Sequence, residues 1–428
     1  MKKILVYAYQ LSPNQGSEAG LAWDYIMNMS KNNKLVVLYG SCNEYHQLGN
    51  TELLEEYVKY NPIKNVTLVP VKPSFDFVEQ NYSIMGIACF YQQYNRYQKD
   101  VYSVAEKLCK TEIFDLVHFL GPIGYREPGL LWKLGLPYMW GPVGGMVFTD
   151  LRLLRGADDF KGSLQLLVKK IINEIQMYTS KSVRKAMKSA DLVLGCTKKT
   201  ALIIQRVFKI KDDHFSYLPQ NCIKEIYPIN YSKYYNFDYI HLIWIGRIDF
   251  GKSLITTLKA LAISKNKSKL KLHVIGEGHL YSSCKKFIEE NSLSNIVEFH
   301  GKVPRDEVFN LLNRAHLHIT TSLLDVNPTV MWEAMSLGVP TISVANNGVD
   351  DIVHAGTGFL IPLSNYNRII ANIADTLDAI ADNPSIIVSK VKNIEQERLK
   401  YGWSVRSKQF EELYEITISN FNKKDKSK

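Results

Sequence analysis

The chain has 428 residues, of which 46% are hydrophobic and 22% are charged, and its net charge is +10. This length predicts two domains of roughly 150–200 residues each, and the composition excludes a disordered chain. Since the sequence contains no run of about 18 apolar residues, we expect no transmembrane helix. Six cysteines are scattered without C-x-x-C pairs, which favours reduced thiols in a cytosol and predicts no zinc site.

Strand-like runs alternate with helical segments, and this pattern predicts an α/β protein of two doubly wound parallel domains. The first series of strands comprises KKILVYAY, KLVVLYG, NVTLVPV, DLVHFL, LPYMWG and DLVLGC, and the second comprises YIHLIWIGRI, LKLHVIG, NIVEFHG, HLHITT and PTISVA. A polar, aromatic stretch without clear period lies between the two series and predicts a linker. The predicted domains are therefore residues 1–222 and 239–403, with a linker at 223–238, and ligands are expected at the carboxyl ends of strands.

The loop after the first strand, in LSPNQGSEAGLAW, has the position of a Rossmann phosphate loop without its spacing. Its glycines do not form G-x-G-x-x-G, and Glu18 would repel a phosphate held within the turn. We expect instead that Gly16 lies in a turn passing close to a bound donor and that Ser17 caps the following helix. Glu18 is then predicted to meet hydroxyls of a sugar or an acceptor, and capping of the helix dipole is an equally compatible role.

A second loop of the first domain, in FDLVHFLGPIGYREPG, carries three further candidates. His118 lies near the end of a strand, where a side chain can face a ligand, although a lone histidine in a strand is more often structural. Arg126 and Glu127 follow in the same loop and are predicted to bind an acceptor. The later segment GPVGG would allow the backbone to approach a ligand closely.

The excess of positive charge is uneven, because residues 151–189 hold nine Lys and Arg against three Asp and Glu. Within this region, LLVKKIINEIQMYTSKSVRKAMKSA predicts a helix with apolar and basic faces. Such a helix can lie on an anionic membrane surface, here through residues 164–188, and a solvated helix face is an alternative of equal weight. Binding of nucleic acid is disfavoured, because no RNA- or DNA-binding motif accompanies the charge. The tail, residues 423–428, is expected to be disordered.

The second domain carries the clearest group of functional motifs. In GRIDFGKSL, Arg247 and Lys252 follow a predicted strand, which suits binding of a diphosphate, although two surface cations are the alternative. In HLHITTSLLDVNPTVMWEAMSLG, a helix is predicted with Asn327 as N-cap and Pro328 at its first position. The amino end of this helix is a potential anion site.

Two acidic residues flank the start of that helix. Asp325 precedes it, and Glu333 lies within it among apolar neighbours. A carboxylate in such a setting is either exposed on the helix face or held by specific donors, and paired hydroxyls of a ribose or hexose could supply them. An ordinary exposed helix glutamate remains the alternative for Glu333 alone.

These motifs resemble the donor-binding half of retaining family-4 glycosyltransferases, which have the GT-B fold. The family's E-x7-E signature corresponds to Asp325 and Glu333, and its G-R-L-x-x-x-K-G loop corresponds to residues 246–253. VIGEGHL, VEFHGKVPRDEV and NNGVDDIV resemble further family segments, so the likeness covers most of residues 239–403. The final helix, 404–422, resembles the one that crosses back to the first domain. The departures from the family pattern are Asp325, Ser253, Asn347 and Asp351.

The resemblance implies roles for these residues. Glu333 would hold the ribose hydroxyls, while Arg247 and Lys252 would hold the diphosphate together with the backbone near the helix start. Asp325 would contact the sugar ring, and its shortened side chain leaves the identity of the sugar open. His118 would contact the transferred sugar or the reacting centre. The remaining donor contacts implied by the family segments are Asn327, Pro328, Thr329, Gly276 and Val303.

The function that the resemblance implies is transfer of a sugar, with retention, from a UDP- or GDP-sugar to a glycan or lipid-linked glycan acceptor in bacterial surface polysaccharide synthesis. No D-x-D triplet is present, so we expect neither a metal nor a cofactor, and the cations would neutralise the leaving diphosphate. The alternatives are a sugar-nucleotide epimerase on the same fold and a non-catalytic sugar-nucleotide-binding protein. The expected location is the cytoplasm, with peripheral binding to the inner membrane face.

Overall fold

The computed structural model describes residues 1–14, 17–42, 48–78, 84–147, 150–157, 160–235 and 237–425. The chain divides into two compact units. The first comprises Met1–Met146, Ile175–Gln220 and Ser404–Lys428, and the second comprises Val147–Glu174 and Asn221–Trp403.

The units differ from the predicted domain bounds in residues 147–174, which the sequence places in the first domain and the structure places in the second unit. The physical reason is hydrophobic burial, because Leu153 and Leu166 are part of the core of the second unit. Tyr234, within the predicted linker, is buried in the same core, so most of that segment is an integral part of the second unit.

The sheet of the first unit is parallel, and its described strands follow the order β3-β2-β1-β4-β5-β6-β7. The strands are β1 (Lys3–Gln10), β2 (Lys34–Ser41), β3 (Val66–Pro70), β4 (Leu116–Phe119), β5 (Tyr138–Val143), β6 (Leu192–Gly195) and β7 (Phe215–Tyr217). In β1 every residue from Ile4 to Gln10 is buried, as expected for a strand covered on both faces. Among the described strands of this sheet, β7, with three residues, is the one absent from the predicted strands, because so short a segment has no periodic signal.

The α-helices between β1 and β7 are α1 (Ser17–Met29), α2 (Glu52–Tyr60), α3 (Ile84–Thr111), α4 (Phe160–Thr179), α5 (Lys181–Ser189) and α6 (Lys198–Phe208). The segment LLVKKIINEIQMYTSKSVRKAMKSA, predicted as one helix, is therefore two helices. The break lies at Ser180, whose Oγ accepts a hydrogen bond from the backbone N–H of Val183 at 3.5 Å and caps α5.

The sheet of the second unit is also parallel, with the described strands in the order β10-β9-β8-β11-β12-β13. The strands are β8 (Ile240–Ile245), β9 (Leu270–Ile275), β10 (Val297–Gly301), β11 (Leu317–Thr320), β12 (Thr341–Val344) and β13 (Gly358–Ile361). The order reverses between β8 and β11, which makes their carboxyl ends the topological switch point where ligands of such sheets bind.

The helices of the second unit alternate with its strands. They are α7 (Leu254–Ile263), α8 (Tyr281–Glu290), α9 (Arg305–Arg314), α10 (Thr329–Ser336), α11 (Tyr366–Asp382) and α12 (Ser385–Glu397).

The last helix, α13 (Trp403–Asp425), returns to the first unit. Its Tyr414 and Phe410 are buried, and its Asn420 Nδ2 donates to the carbonyl of Asp191 at 3.0 Å. The ammonium of Lys2 pairs with Glu411 at 2.9 Å. These contacts confirm the prediction that the final helix crosses back to the first domain.

Candidate functional site

The predicted donor residues gather at the carboxyl edge of the second sheet. Arg247 and Lys252 follow β8, Gly276 follows β9, Val303 follows β10, and Asp325 follows β11. Since parallel strands all end at the same edge, the loops that carry these residues are neighbours there. The structure thus brings together, around the β8/β11 switch point, residues that lie far apart in the chain.

Glycine is required at the point where the loop after β9 approaches the loop after β8. Gly276 has φ +131°, and a Cβ on it would lie 1.8 Å from the carbonyl oxygen of Gly246. The backbone N–H of Gly276 donates to the Gly301 carbonyl at 2.8 Å, and the backbone N–H of Gly246 donates to the Ile275 carbonyl at 3.0 Å. The glycine therefore permits the loops after β8, β9 and β10 to lie side by side, whether or not it also contacts a ligand.

The two predicted diphosphate cations differ in their surroundings. Lys252 is partly buried, and its ammonium donates to the Asp325 carboxylate at 2.6 Å. Arg247 is 78% exposed, with its guanidinium 3.2 Å from Asp249. Both cations are thus held by carboxylates close to the sheet edge, where an arriving anion could take the place of the carboxylate.

The helix that follows β11 begins one residue later than predicted. α10 starts at Thr329, and Pro328 occupies the N-cap position with extended backbone. The Asn327 side chain does not cap the helix, because its Oδ1 accepts a hydrogen bond from Trp332 Nε1 at 2.5 Å. Asn221 Nδ2 donates to the Asn327 carbonyl, also at 2.5 Å. The residues before the helix are therefore fixed by side chains, while the amino end of α10 still directs its backbone N–H groups toward the sheet edge.

Glu333 is partly buried on α10, and one of its carboxylate oxygens contacts the guanidinium of Arg305. Arg305 is 65% exposed and opens α9, two positions after Val303. The sequence did not single out this arginine, although its place in the VPRDEV segment, directly after a predicted strand, was a usable signal. Arg305 therefore forms an ion pair with the Glu333 carboxylate, which is predicted to hold the ribose hydroxyls.

Two of the departures from the family pattern keep the backbone geometry that glycine would supply. Ser253 has φ +49° and ψ +52°, and its hydroxyl donates to the Gly156 carbonyl at 2.5 Å. Asn347 has φ +58°, and its Nδ2 donates to the Leu323 carbonyl at 2.8 Å. In both places the side chain is hydrogen-bonded, which offsets the cost of left-handed backbone in a residue other than glycine.

In the first unit, two predicted acceptor residues lie close together at the carboxyl edge of the sheet. The Glu18 carboxylate accepts a hydrogen bond of 3.4 Å from the backbone N–H of Ile123. Burial raises the pKa of Glu18 to about 7, and repulsion from Glu127 adds to the effect. Burial also raises the pKa of Glu127, which Arg126 opposes. The Arg126 guanidinium lies 5.8 Å from the ring centre of Tyr91. Burial therefore favours the neutral form of both acids more than it would for exposed acids.

Gly16, predicted to contact the donor, lies outside the described residues.

The predicted catalytic residue His118 lies in the core of the first unit. Its side chain is fully buried, and its Nε2 donates to the Gly141 carbonyl at 2.8 Å. The hydroxyls of Tyr25 and Tyr414 lie 3.0 and 3.1 Å from Nδ1. Burial lowers the pKa of His118 to about 4. Both ring nitrogens are engaged within the core of the first unit, so the structural alternative is favoured.

The basic segment presents an exposed apolar surface on α4. Leu166, Asn173 and Met177 are buried on one side of this helix. Large apolar side chains recur at intervals of three or four on the other side, from Phe160, 84% exposed, to Tyr178, 59% exposed. The exposed apolar residues of α4 are Phe160, Leu164, Val168, Ile171, Ile172, Ile175 and Tyr178. On α5, by contrast, the apolar Val183, Ala186 and Met187 are buried.

Among the described residues, no helix is both long enough and apolar enough to cross a membrane.

Residues 236–384 match the family described as Glycosyl transferases group 1. This matched segment contains every predicted donor residue except Gly16.

The alignments between this chain and its curated relatives cover only part of each relative's length. The Amylovoran biosynthesis glycosyltransferase AmsK of Erwinia amylovora is 23% identical over 166 residues, which are 37% of this chain and 41% of that protein. The Phosphatidylinositol N-acetylglucosaminyltransferase gpi3 subunit of Schizosaccharomyces pombe is 23% identical over 278 residues, 64% of this chain and 56% of that protein. The chain thus spans 38 to 56% of the length of the first relatives that it matches.

Among solved structures, Anabaena Alr3699/HepE in complex with UDP and glucose has a TM-score of 0.60 at 13% identity. The match covers 96% of this chain and 99% of that one. The likeness confirms the predicted fold class, GT-B, with two doubly wound parallel sheets.

Proposed function

We propose that the protein is a retaining glycosyltransferase that transfers a sugar from a UDP- or GDP-sugar to a glycan or lipid-linked glycan acceptor. The observation that carries this proposal is the gathering of Arg247, Lys252, Asp325 and Glu333 at the β8/β11 switch point beside the amino end of α10. Cations and helix amides suit the diphosphate, and the acids suit the ribose and the sugar. The group 1 domain match and the UDP held by the Anabaena structure support a nucleotide-sugar donor.

Catalysis in this proposal rests on stabilising the leaving group. The bond between the anomeric carbon and the diphosphate oxygen breaks as the acceptor oxygen bonds to the same face of the sugar. Lys252 exchanges Asp325 for the diphosphate, and Arg247 and the amides of α10 share the charge that develops there. The departing phosphate takes the acceptor proton, so no metal or other cofactor is needed. Asp325, released by Lys252, faces the hydroxyls of the sugar ring.

On the acceptor side, we assign Glu18, Glu127 and Arg126 to acceptor hydroxyls. A carboxyl whose pKa is raised by burial can donate a hydrogen bond when protonated and accept one when ionised. The two acids therefore offer both kinds of partner to a polyhydroxylated ligand, and the Arg126 guanidinium adds a cation beside aromatic rings.

A membrane-bound acceptor fits the exposed apolar side of α4. An amphipathic helix with apolar residues on one side and lysines beside them binds at the boundary between headgroups and acyl chains. Lys161, Lys169 and Lys170 lie on α4, and they would favour anionic lipid. We infer peripheral binding to the inner face of the membrane, in the synthesis of a bacterial surface polysaccharide.

The transferase activity is tested by incubating the protein with labelled UDP- and GDP-sugars and measuring nucleotide release and glycan product. Thermal shift with each nucleotide first identifies the donor, because a ligand that binds the native state stabilises it. NMR of the product anomeric proton then determines whether the configuration is retained. Donor interconversion without nucleotide release would favour the epimerase. Stabilisation without any turnover would favour a binding protein.

Membrane binding is tested by sedimentation with phosphatidylglycerol and phosphatidylcholine vesicles. We expect the wild type to bind the anionic vesicles and a triple variant, Phe160→Ser, Ile171→Ser and Ile175→Ser, to stay in solution. Ile113→Ser is the matched control, because Ile113 is 90% exposed and lies outside α4. A second variant, in which Lys169, Lys170, Arg184 and Lys185 become Ser, should lose the preference for anionic lipid. Equal binding by wild type and triple variant would exclude α4 as the contact.

A further inference from the structure

Four histidines form a row across neighbouring strands of the second sheet. His241 lies on β8, His273 on β9 and His300 on β10, while His316 directly precedes β11. The ring of His241 stacks on that of His273 at 5.2 Å and on that of His316 at 5.5 Å. His273 Nδ1 lies 3.0 Å from His300 Nε2. None of these side chains has a role in the proposed transfer reaction.

One end of the row joins a carboxylate. Glu298 and His300 are two positions apart on β10, and the register with β9 shifts between Phe299 and Gly301. The strand register pairs Glu298 with His273, and their ligand atoms lie 3.3 Å apart. Glu298 and His300 approach within 3.9 Å. The ligand atoms of the three residues all lie within 4.8 Å of one another.

These separations suit a tetrahedral metal ion. Zinc lies about 2.0–2.2 Å from nitrogen and carboxylate ligands, which places tetrahedral ligand atoms about 3.3–3.6 Å apart. His273 Nδ1 lies 3.0 Å from His300 Nε2 and 3.3 Å from Glu298 Oε2, and the other carboxylate oxygen, Oε1, lies 3.9 Å from His300 Nε2. Only small side-chain adjustments are therefore needed for all three residues to bind one ion.

The groups behind the cluster also suit a metal. A metal-bound histidine usually donates its other ring N–H to a partner, which fixes the tautomer. His273 Nε2 lies 2.9 Å from His241 Nδ1, so His241 can accept that hydrogen bond when Nδ1 of His273 binds an ion.

The far end of the row is fixed in one tautomer. The backbone N–H of His241 donates to His316 Nδ1 at 2.8 Å, and His316 Nε2 donates to the Lys233 carbonyl at 2.6 Å. His316 is thus neutral, and burial lowers its pKa to about 4. A neutral, fixed ring therefore stacks on His241 at the end of the row away from Glu298.

We propose that His273, Glu298 and His300 form a binding site for one divalent transition-metal ion, with Zn²⁺ as the best match to the ligand set. β10 is an edge strand of the sheet, and Glu298 is exposed, so water completes the coordination. The ion links β10 to β9 and stabilises the strand that leads to Val303. The expectation of no zinc site was drawn from cysteine spacing, and this site uses none. It is independent of the transfer reaction.

The test uses the full chain, purified without a histidine tag and treated with chelator, and titrated with Zn²⁺ by calorimetry. We expect one ion per chain and a higher melting temperature with Zn²⁺. His300→Ala and Glu298→Gln should each weaken binding at least about tenfold, and His241→Phe about tenfold through the lost second partner. Co²⁺ in place of Zn²⁺ should give the intense visible bands of tetrahedral coordination in the wild type and not in His300→Ala or Glu298→Gln.

His354→Gln is the matched control, because His354 and Glu397 form a two-ligand pair, 3.0 Å apart, in the same unit. This variant should bind Zn²⁺ like the wild type. Melting curves of all variants in chelator establish that each is folded. The proposal is overturned if the wild type binds Zn²⁺ no more tightly than His300→Ala, or if His354→Gln loses as much affinity as the cluster variants.

Discussion

The carboxyl edges of the two sheets carry opposite kinds of chemistry. At the second sheet, Lys252 and Asp325 are partly buried and paired with each other, and Arg247 is largely exposed. At the first sheet, Glu18 and Glu127 have pKa values raised by burial, and His118 is enclosed in the core. Both sheets place their first strand beside the fourth in the same doubly wound pattern, so the strand order does not explain the difference.

The difference teaches that burial, and not topology, decides what each edge can bind. Paired ions near solvent can exchange their partners for phosphate oxygens at small cost. Acids that are held partly neutral suit uncharged hydroxyls, because burial disfavours their charged form. The same scaffold thus offers an anion site in one unit and a hydroxyl site in the other.

Lys252→Ala should have the largest effect on turnover. Removing one group that stabilises charge in a transition state typically costs about 10²- to 10³-fold in kcat, and we expect a loss of that size in a nucleotide-release assay. Lys285→Ala is the matched control, because Lys285 is an exposed lysine on α8 of the same unit. Activity near wild type in folded Lys252→Ala protein would remove the diphosphate assignment.

Glu333→Ala should weaken the donor-side contacts and raise KM. Hydrogen bonds to a charged group contribute about 1.5–3 kcal/mol, so we expect donor affinity to fall about 10- to 100-fold. Arg305→Ala should have the opposite sign, because it frees the Glu333 carboxylate. An exposed ion pair contributes about 0.2–1 kcal/mol, so donor KM should fall by at most about fivefold. Equal losses in both variants would argue that the pair is structural.

His118→Ala should act on stability and leave the chemistry alone. The change removes a buried ring and leaves the Gly141 carbonyl and two tyrosine hydroxyls without its nitrogens, which should cost about 2–4 kcal/mol in the free energy of unfolding. Denaturant melts measure that loss. Nucleotide release per folded molecule should stay within a few fold of wild type. A stable variant with abolished turnover would restore the catalytic role.

The histidine also predicts a pH effect. Its pKa is about 4 in the folded protein, below the ordinary value of 6.5. The folded state therefore binds a proton less tightly than the unfolded chain, and the stability that neutral His118 contributes is present above about pH 6.5 and is lost as the pH falls toward 4. The melting temperature of His118→Ala should depend less on pH in that window than that of the wild type.

Glu18→Gln should give the smallest effect, and one with the reverse pH dependence. The folded-state pKa of Glu18 is about 7, above the ordinary value of 4.5. Protonated Glu18 thus contributes stability that is complete below about pH 4.5 and is lost as the pH rises through about 7. Since Gln resembles the protonated form, the variant should melt close to wild type near pH 5 and higher than wild type near pH 8. Glu56→Gln, at an exposed site on α2, should show no such change. If the melting temperatures of Glu18→Gln and the wild type differed by the same amount at pH 5 and pH 8, the burial of Glu18 would be contradicted.

By itself, the sequence determined the two series of parallel strands and the donor loops of the second unit. A continuous apolar run indicates a buried parallel strand without reference to the rest of the chain. The motifs GRIDFGKSL and DVNPTVMWE likewise hold the predicted diphosphate cations and the two acids within a few residues. The start of α10 was predicted to within one position, because Pro328 limits where that helix can begin. The short strands β7 and β13 gave no periodic signal, and residues 147–174 gave no sign of belonging to the second unit.

Only the tertiary structure decided which side chains meet and how deeply they are buried. Arg305 reaches Glu333, and His273 reaches Glu298 and His300, because strands β9 and β10 and helices α9 and α10 bring distant residues together. The burial of His118 depends on α13, the last helix of the chain, because Tyr414 and Phe410 of that helix contact the His118 ring. Periodicity is a local property of a sequence, whereas pairing, burial and pKa depend on long-range contacts.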